Sequence, residues 1–199
     1  MEEAVTLPEN LVTAFNTIAA DLKLPTPWPK PADYQPPRAN DRILIWSAAS
    51  SVGQLTIQVL KYYGYRNIIA TASPVHHAHI KEIGASEVYD YRSPTIVEDL
   101  LRSAQGSDAP AFPLIVDCIG SQTGTLTAIS KIAQSGSIVA VMLPVILKHS
   151  SNDTDPEYSM DAEASMTWAA GVKVVGVRTH FYWKVSWYTH HHNLTTDLL

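Results

Sequence analysis

Ile43-Leu44-Ile45-Trp46-Ser47-Ala48-Ala49-Ser50-Ser51-Val52-Gly53 is the stretch on which the reading of this chain turns. An apolar run gives way to small residues, and Val52, Leu55, Thr56, Val59, Leu60 and Tyr63 then recur at the spacing of one helix face. The pattern predicts a strand, a tight turn and a helix in direct succession. The same alternation continues outward. Asn67 to Thr71, Glu87 to Tyr91, Pro113 to Ile119, Ser137 to Leu143 and Val172 to Val177 read as strands, and Val75 to Ile83, Thr95 to Ala104 and Thr123 to Gln134 as helices. Strands joined through helices pair in parallel by right-handed crossovers, because a hairpin cannot reach a parallel neighbour. The expected fold class is therefore α/β, a doubly wound parallel sheet.

Ahead of this unit, Leu11, Val12, Phe15, Ile18, Ala19 and Leu22 form an apolar stripe on an expected helix, with Leu7-Pro8 at its first turn. Six prolines between Leu24 and Arg38 then fix φ and remove donors, so an extended connection is expected there. The organisation read from the sequence is an entry helix and Pro-rich connection over 1–40, a domain of alternating strands and helices over 41–180 and an irregular tail over 181–199. The polar, acidic stretch from Lys148 to Ala164 reads as an exposed insertion.

Composition narrows the class. The chain has 199 residues, 46% of them hydrophobic, and a formal charge of −5, which suits a soluble globular protein and gives no general reason to bind a phosphate backbone. The one cysteine, Cys118, cannot form an internal disulfide or a cysteine zinc cage, and no signal segment or membrane-spanning run is found. A reducing, cytoplasmic setting is expected, with neither nucleic acid nor membrane as a partner.

The turn after the first strand is where a Rossmann fold places its phosphate loop. Laid on G-x-G-x-x-G, the three positions are Ala48, Ser50 and Gly53, so spacing alone leaves a phosphate loop and a merely tight turn both open. After the second strand, Thr71-Ala72-Ser73-Pro74 offers hydroxyls and no carboxylate, which leaves room for a ribose 2′-phosphate. His76, His77 and Lys81 are either sources of positive charge there or solvated helix residues.

These residues carry a resemblance. Ile43 to Gly53, Ile68 to Ser73, and Ile83-Gly84-Ala85-Ser86-Glu87-Val88-Tyr89-Asp90-Tyr91 together resemble the cofactor domain of the medium-chain dehydrogenase/reductase superfamily. The branch is that of zinc-independent quinone oxidoreductases and the fungal enoyl reductases that act with polyketide synthases. Glu2 to Pro8 resembles the helix entering that domain, and Asp117-Cys118-Ile119-Gly120 the strand end beside the nicotinamide. The resemblance implies NADP(H) as cofactor, with NAD left open and no zinc, and hydride transfer to an enoyl, quinone or carbonyl acceptor. It implies the pyrophosphate at Ala49, Ser50, Ser51, Val52 and Gly53, Ser73 and Tyr91 near the 2′-phosphate, and Ile119 beside the nicotinamide. Catalytic residues are not assigned.

Ser50 and Ser51 stand where many relatives have glycine, and Val75 where they often have lysine. Such relatives also carry a catalytic domain ahead of this one. The expectation is a truncated oxidoreductase domain, inactive in isolation; a truncated product, an incomplete gene model and a stand-alone binding domain all remain open. The alternative is a non-catalytic dinucleotide-binding or protein-interaction remnant that self-associates or meets a polyketide synthase.

Other chemistries fit less well. No lysine follows a tyrosine by four residues, as short-chain dehydrogenases require, and no G-x-S-x-G frame surrounds Ser50 or Ser51. His76, His77, His79 and His190 to His192 lack carboxylates or thiolates at ligand spacing. Cys118 reads as a small buried residue, and Trp168, Trp183 and Trp187 as cover for a core edge or an interface.

Overall fold

The computed structural model of the chain describes residues 2–106 and 109–178. The tail from Phe181, with Trp183, Trp187 and His190 to His192, lies outside the described residues. Six parallel strands form the sheet: β1 (Ile43–Trp46), β2 (Ile68–Thr71), β3 (Glu87–Tyr89), β4 (Leu114–Asp117), β5 (Ile138–Met142) and β8 (Lys173–Val177). Their order is β3-β2-β1-β4-β5-β8, so the chain runs outward from β1 in one direction and then returns to start again at β4. That reversal opens a crevice at the carboxyl ends of β1 and β4, where such sheets bind ligands.

Every residue of β1, β2 and β4 is buried. Ile43 and Ile45 face a core shared with α2 (Ser51–Tyr63) and α3 (His77–Ile83), while Leu44 and Trp46 face one shared with α4 (Ile96–Ser103) and α5 (Thr127–Ile132). Burial on both faces is why these strands read as continuous apolar runs. The tilt of side chains at i and i+2 to the same side then sorts each strand between the two cores.

The entry helix α1 (Glu2–Asn16) begins ahead of Leu7-Pro8 and passes into a wider π-type turn at Thr17–Asp21. Its buried face also differs from the expected stripe. Ala14, Ile18 and Leu22 are fully buried, whereas Leu11 and Phe15 are 39% and 37% exposed. The helix seats its small residues on α2, and Phe15 is left at the margin with its ring 6.4 Å from that of Tyr63. The Pro-rich connection has no helix or strand, turns where Tyr34 N–H donates to the Pro31 carbonyl and Ala39 N–H to the Pro36 carbonyl, and is held to α2 by side chains: the Tyr63 hydroxyl donates to the Pro27 carbonyl at 3.3 Å, and Lys30 donates to the Tyr62 carbonyl.

The stretch from Lys148 to Ala164 is mostly exposed, as expected of an insertion, and part of it is ordered as a hairpin strand. β6 (Val145–Lys148) and β7 (Glu157–Ser159) pair antiparallel, with Lys148 and Glu157 as an ion pair at 3.5 Å. Ile146 also bridges to Ser121, its N–H donating to the Gly120 carbonyl at 2.7 Å. This bond folds the hairpin back onto the β4–α5 loop. Trp168 packs against the α4/α5 core, as cover for its edge.

Candidate functional site: a cleft at the ends of β1 and β4

The turn from β1 into α2 is built by hydrogen bonds to the neighbouring strand. Ser47 sits in the left-handed region at φ 63°, its N–H donating to Thr71 Oγ1 at 3.0 Å, and Ala48 N–H donates to the Thr71 carbonyl at 2.8 Å. Ser50 is extended (φ −67°, ψ 158°) and caps α2, its hydroxyl accepting from Gly53 N–H at 3.1 Å. Because φ is negative there, serine occupies the middle glycine position of the motif without strain. Gly53 is different: a Cβ on it would lie 2.8 Å from Ala48 Cα and 2.9 Å from the Ala48 carbonyl oxygen. Only glycine lets α2 approach the strand end this closely, which is the packing task of the motif's last position.

A cleft of about 520 Å³ opens beside this turn. Ala49 and Ser50 form its middle, Ser73, His76 and Tyr91 its wall at the β2 and β3 ends, and Ile119, Ser121, Thr125 and His149 its wall on the β4 side. Of the residues expected from the sequence, Ala49, Ser50, Ser73, Tyr91 and Ile119 thus share one cavity. Ser51, Val52 and Gly53 stand just behind it as the first turn of α2. Of the side chains weighed as sources of positive charge, His76 lines the cleft, His77 is tied to the Ala72 carbonyl at 3.0 Å, and Lys81 is exposed on α3 outside the lining; His79 meets Gln54 at 3.1 Å. Val75 is 82% exposed. Beside Tyr91, Arg92 is paired with Asp90 at 3.1 Å and holds that carboxyl below its ordinary range.

The β4 side is fixed by a buried carboxyl. Asp117 is fully buried, accepts from the Thr125 hydroxyl and from Ile119 N–H at 3.0 Å, and has its pKa pushed up by burial. Thr125 Oγ1 in turn accepts from Ser121 N–H at 3.0 Å. Gly120 takes φ 69°, and a Cβ there would lie 2.2 Å from the Met142 carbonyl oxygen, so the loop passes under β5 with no room for a side chain. Cys118 points back toward Ser50, and burial pushes its thiol up to about 12. It is partly buried against the α2/α3 core, and a thiol raised this far is a poor nucleophile near neutral pH.

His149 and the Ser121–Thr125 turn were not found by sequence reasoning. Ser121 ahead of Leu126, Ile129 and Ile132 is a legible helix start. Nothing in the polar stretch around His149 marks it, since only the folding back of β6 brings it to the cleft.

The strand order, the glycine-packed turn and the cleft at the reversal point define a dinucleotide-binding domain of reductase type. The chain belongs to the zinc-binding dehydrogenase family, whose model matches residues 51–179, and forms a cofactor-binding domain of the medium-chain dehydrogenase/reductase superfamily. An uncharacterized protein of Saccharomyces cerevisiae is 30% identical over 173 residues, 86% of this chain and 43% of that protein. The trans-enoyl reductase himH of Aspergillus japonicus is 34% identical over 121 residues, 61% of this chain and 32% of that protein. The chain thus spans less than half the length of these relatives. The crystal structure of CurK enoyl reductase shares the fold at TM-score 0.64 and 16% identity, over 92% of this chain and 46% of that one. Among the described residues, no three His, Cys, Asp or Glu side chains gather as a metal site, and no helix is long and apolar enough to cross a membrane.

Proposed function

We propose that this chain is the NADP(H)-binding part of a cytoplasmic medium-chain reductase acting on an enoyl, quinone or carbonyl acceptor. The observation that carries the reading is the junction of Gly53 with Ala48 at the mouth of the cleft, a backbone approach that leaves a pyrophosphate room at the α2 N-terminus. With the Gly53 amide engaged by Ser50, the Ser51 and Val52 amides are the donors such a phosphate meets. Ser73, His76 and Tyr91 surround the position of an adenosine 2′-phosphate without a carboxylate to repel it. Ile119, 42% exposed at the end of β4, offers an apolar surface to the nicotinamide side. When bound, the cofactor supplies a hydride, and the residues of this chain supply its position.

The himH and CurK relatives carry the name enoyl reductase, which supports an activated carbon–carbon double bond as acceptor. On its own, this chain holds the cofactor by strand ends and loops from one side. Fixing an acceptor at near-attack distance is worth about 7–11 kcal/mol of barrier, so turnover by these 199 residues is expected to be close to background. The position of β8 at one edge of the sheet supports self-association there, with polyketide synthase partners following from the resemblance alone.

The test is Ser51→Asp, read by dinucleotide titration and thermal melting. Ser51 is exposed at the first position of α2, so an acid there suits the helix dipole and leaves the melting temperature unchanged or slightly raised. NADPH affinity is expected to fall at least tenfold, because the carboxylate occupies the phosphate position. A wild-type chain that gains no thermal stability from millimolar NADPH, or a variant that binds it as tightly, would overturn the proposal.

A further inference from the structure

The β1–α2 turn divides the cleft into two halves. On one side stand Ser73, His76 and Tyr91; on the other stand Ile119, Ser121, Thr125 and His149. A dinucleotide is two nucleoside halves joined by a pyrophosphate. A pyrophosphate at the turn therefore puts one half on each wall.

On the β4 wall the hydroxyls are already engaged. Thr125 Oγ1 donates to Asp117 and accepts from Ser121 N–H, and Ser121 Oγ accepts from Gly124 N–H at 3.2 Å. Ser121 is 3% exposed, and its Oγ lies 3.3 Å from Nε2 of the exposed His149. The Ser121 hydroxyl accepts from Gly124 N–H and still holds its own proton; given to Nε2, that proton leaves the imidazole N–H on Nδ1. The β6 backbone is pinned by the Ile146 to Gly120 bond, which holds the segment carrying His149 at the cleft.

We propose that His149, oriented by Ser121, is a contact of the nicotinamide-riboside half of the dinucleotide, offering Nδ1–H to a ribose hydroxyl or the carboxamide oxygen. The assignment rests on the dinucleotide reading above. It makes the β6–β7 hairpin a working wall of the site.

The experiment titrates the 199-residue chain with NADPH and, separately, with adenosine 2′,5′-bisphosphate, which carries the adenosine half only. His149→Ala is expected to weaken NADPH about tenfold, the loss of one hydrogen bond in a cleft, and to leave the bisphosphate within about twofold. His149→Gln, whose amide can meet both Ser121 and the ligand, is expected to recover part of the loss. Unchanged NADPH affinity in His149→Ala overturns the assignment, as does an equal loss for both probes, which is the mark of a merely structural role. A wild-type chain that binds neither probe removes the dinucleotide reading itself. One that binds both while His149→Ala changes neither removes this contact alone.

Discussion

A single methyl group at Gly53 tests the junction on which the site is built. In Gly53→Ala the new Cβ lies 2.8 Å from Ala48 Cα, 2.9 Å from its carbonyl oxygen and 3.0 Å from its carbonyl carbon. All three are backbone atoms of a turn already held by Thr71, so no side chain can rotate away. Favourable carbon contacts begin near 3.5 Å, so α2 has to withdraw by roughly 0.5–1 Å. Overpacking of this kind costs about 1–3 kcal/mol, and the better helix propensity of alanine returns at most about 1 kcal/mol. The net is a loss of roughly 1–2 kcal/mol, or about 2–8 °C in Tm for a chain of this length. Thermal melting with and without NADPH measures both consequences: a lower Tm, and a smaller increment from cofactor because the Ser51 and Val52 amides have moved. A Tm equal to that of wild type with an undiminished NADPH increment would refute the argument that close backbone approach is what this glycine provides.

Asp21, whose Oδ2 is buried without a hydrogen-bond partner among the described residues, has its pKa raised from 3.8 to about 6 by burial, against a smaller opposing effect of Lys23. A raised folded-state value means that stability is present below pH 3.8 and is lost as pH rises through about 6, so Asp21→Asn should be more stable than wild type at pH 7.5 by about 1–3 kcal/mol and no better at pH 4 in urea titrations. Cys118, its thiol pushed up to about 12, should resist iodoacetamide at pH 7.5 while the chain is folded and react quickly in denaturant, as followed by mass spectrometry. Gly120→Ala combines a left-handed backbone with a Cβ 2.2 Å from the Met142 carbonyl oxygen. It should cost about 3 kcal/mol or more in urea unfolding, well above the Gly53 variant.

Much of the molecule is legible in the sequence because it is decided locally or by a repeated pattern. The buried runs at Ile43 and Ile68 and the helix periodicity after Val52 announce parallel strands and their crossovers, since a strand covered on both faces has to be apolar throughout. Gly53 announces the close approach of α2 to the strand end, since a Cβ there would meet the Ala48 backbone. The helix α1 shows where this legibility ends. Its stripe names an amphipathic helix, but the face that is buried follows Ala14 and Ile18, which fit against α2, and leaves the bulkier Leu11 and Phe15 at the edge.

The cleft divides in the same way. Ala49, Ser50, Ser73, Tyr91 and Ile119 were implied by the family resemblance, and they share the cleft because strand ends in a parallel sheet converge on one edge. His149 was not, since it follows β5 by a segment with no periodicity and reaches the cleft only when Ile146 bonds to Gly120. The buried state of Asp21 and Asp117 was equally silent in the sequence, because desolvation depends on everything packed around a carboxyl and not on its neighbours along the chain. By itself the sequence determined the alternation of elements and the tight turn from β1 into α2. Tertiary structure alone decided which side chains face one another across the cleft, because those contacts join segments whose spacing along the chain carries no record of their meeting.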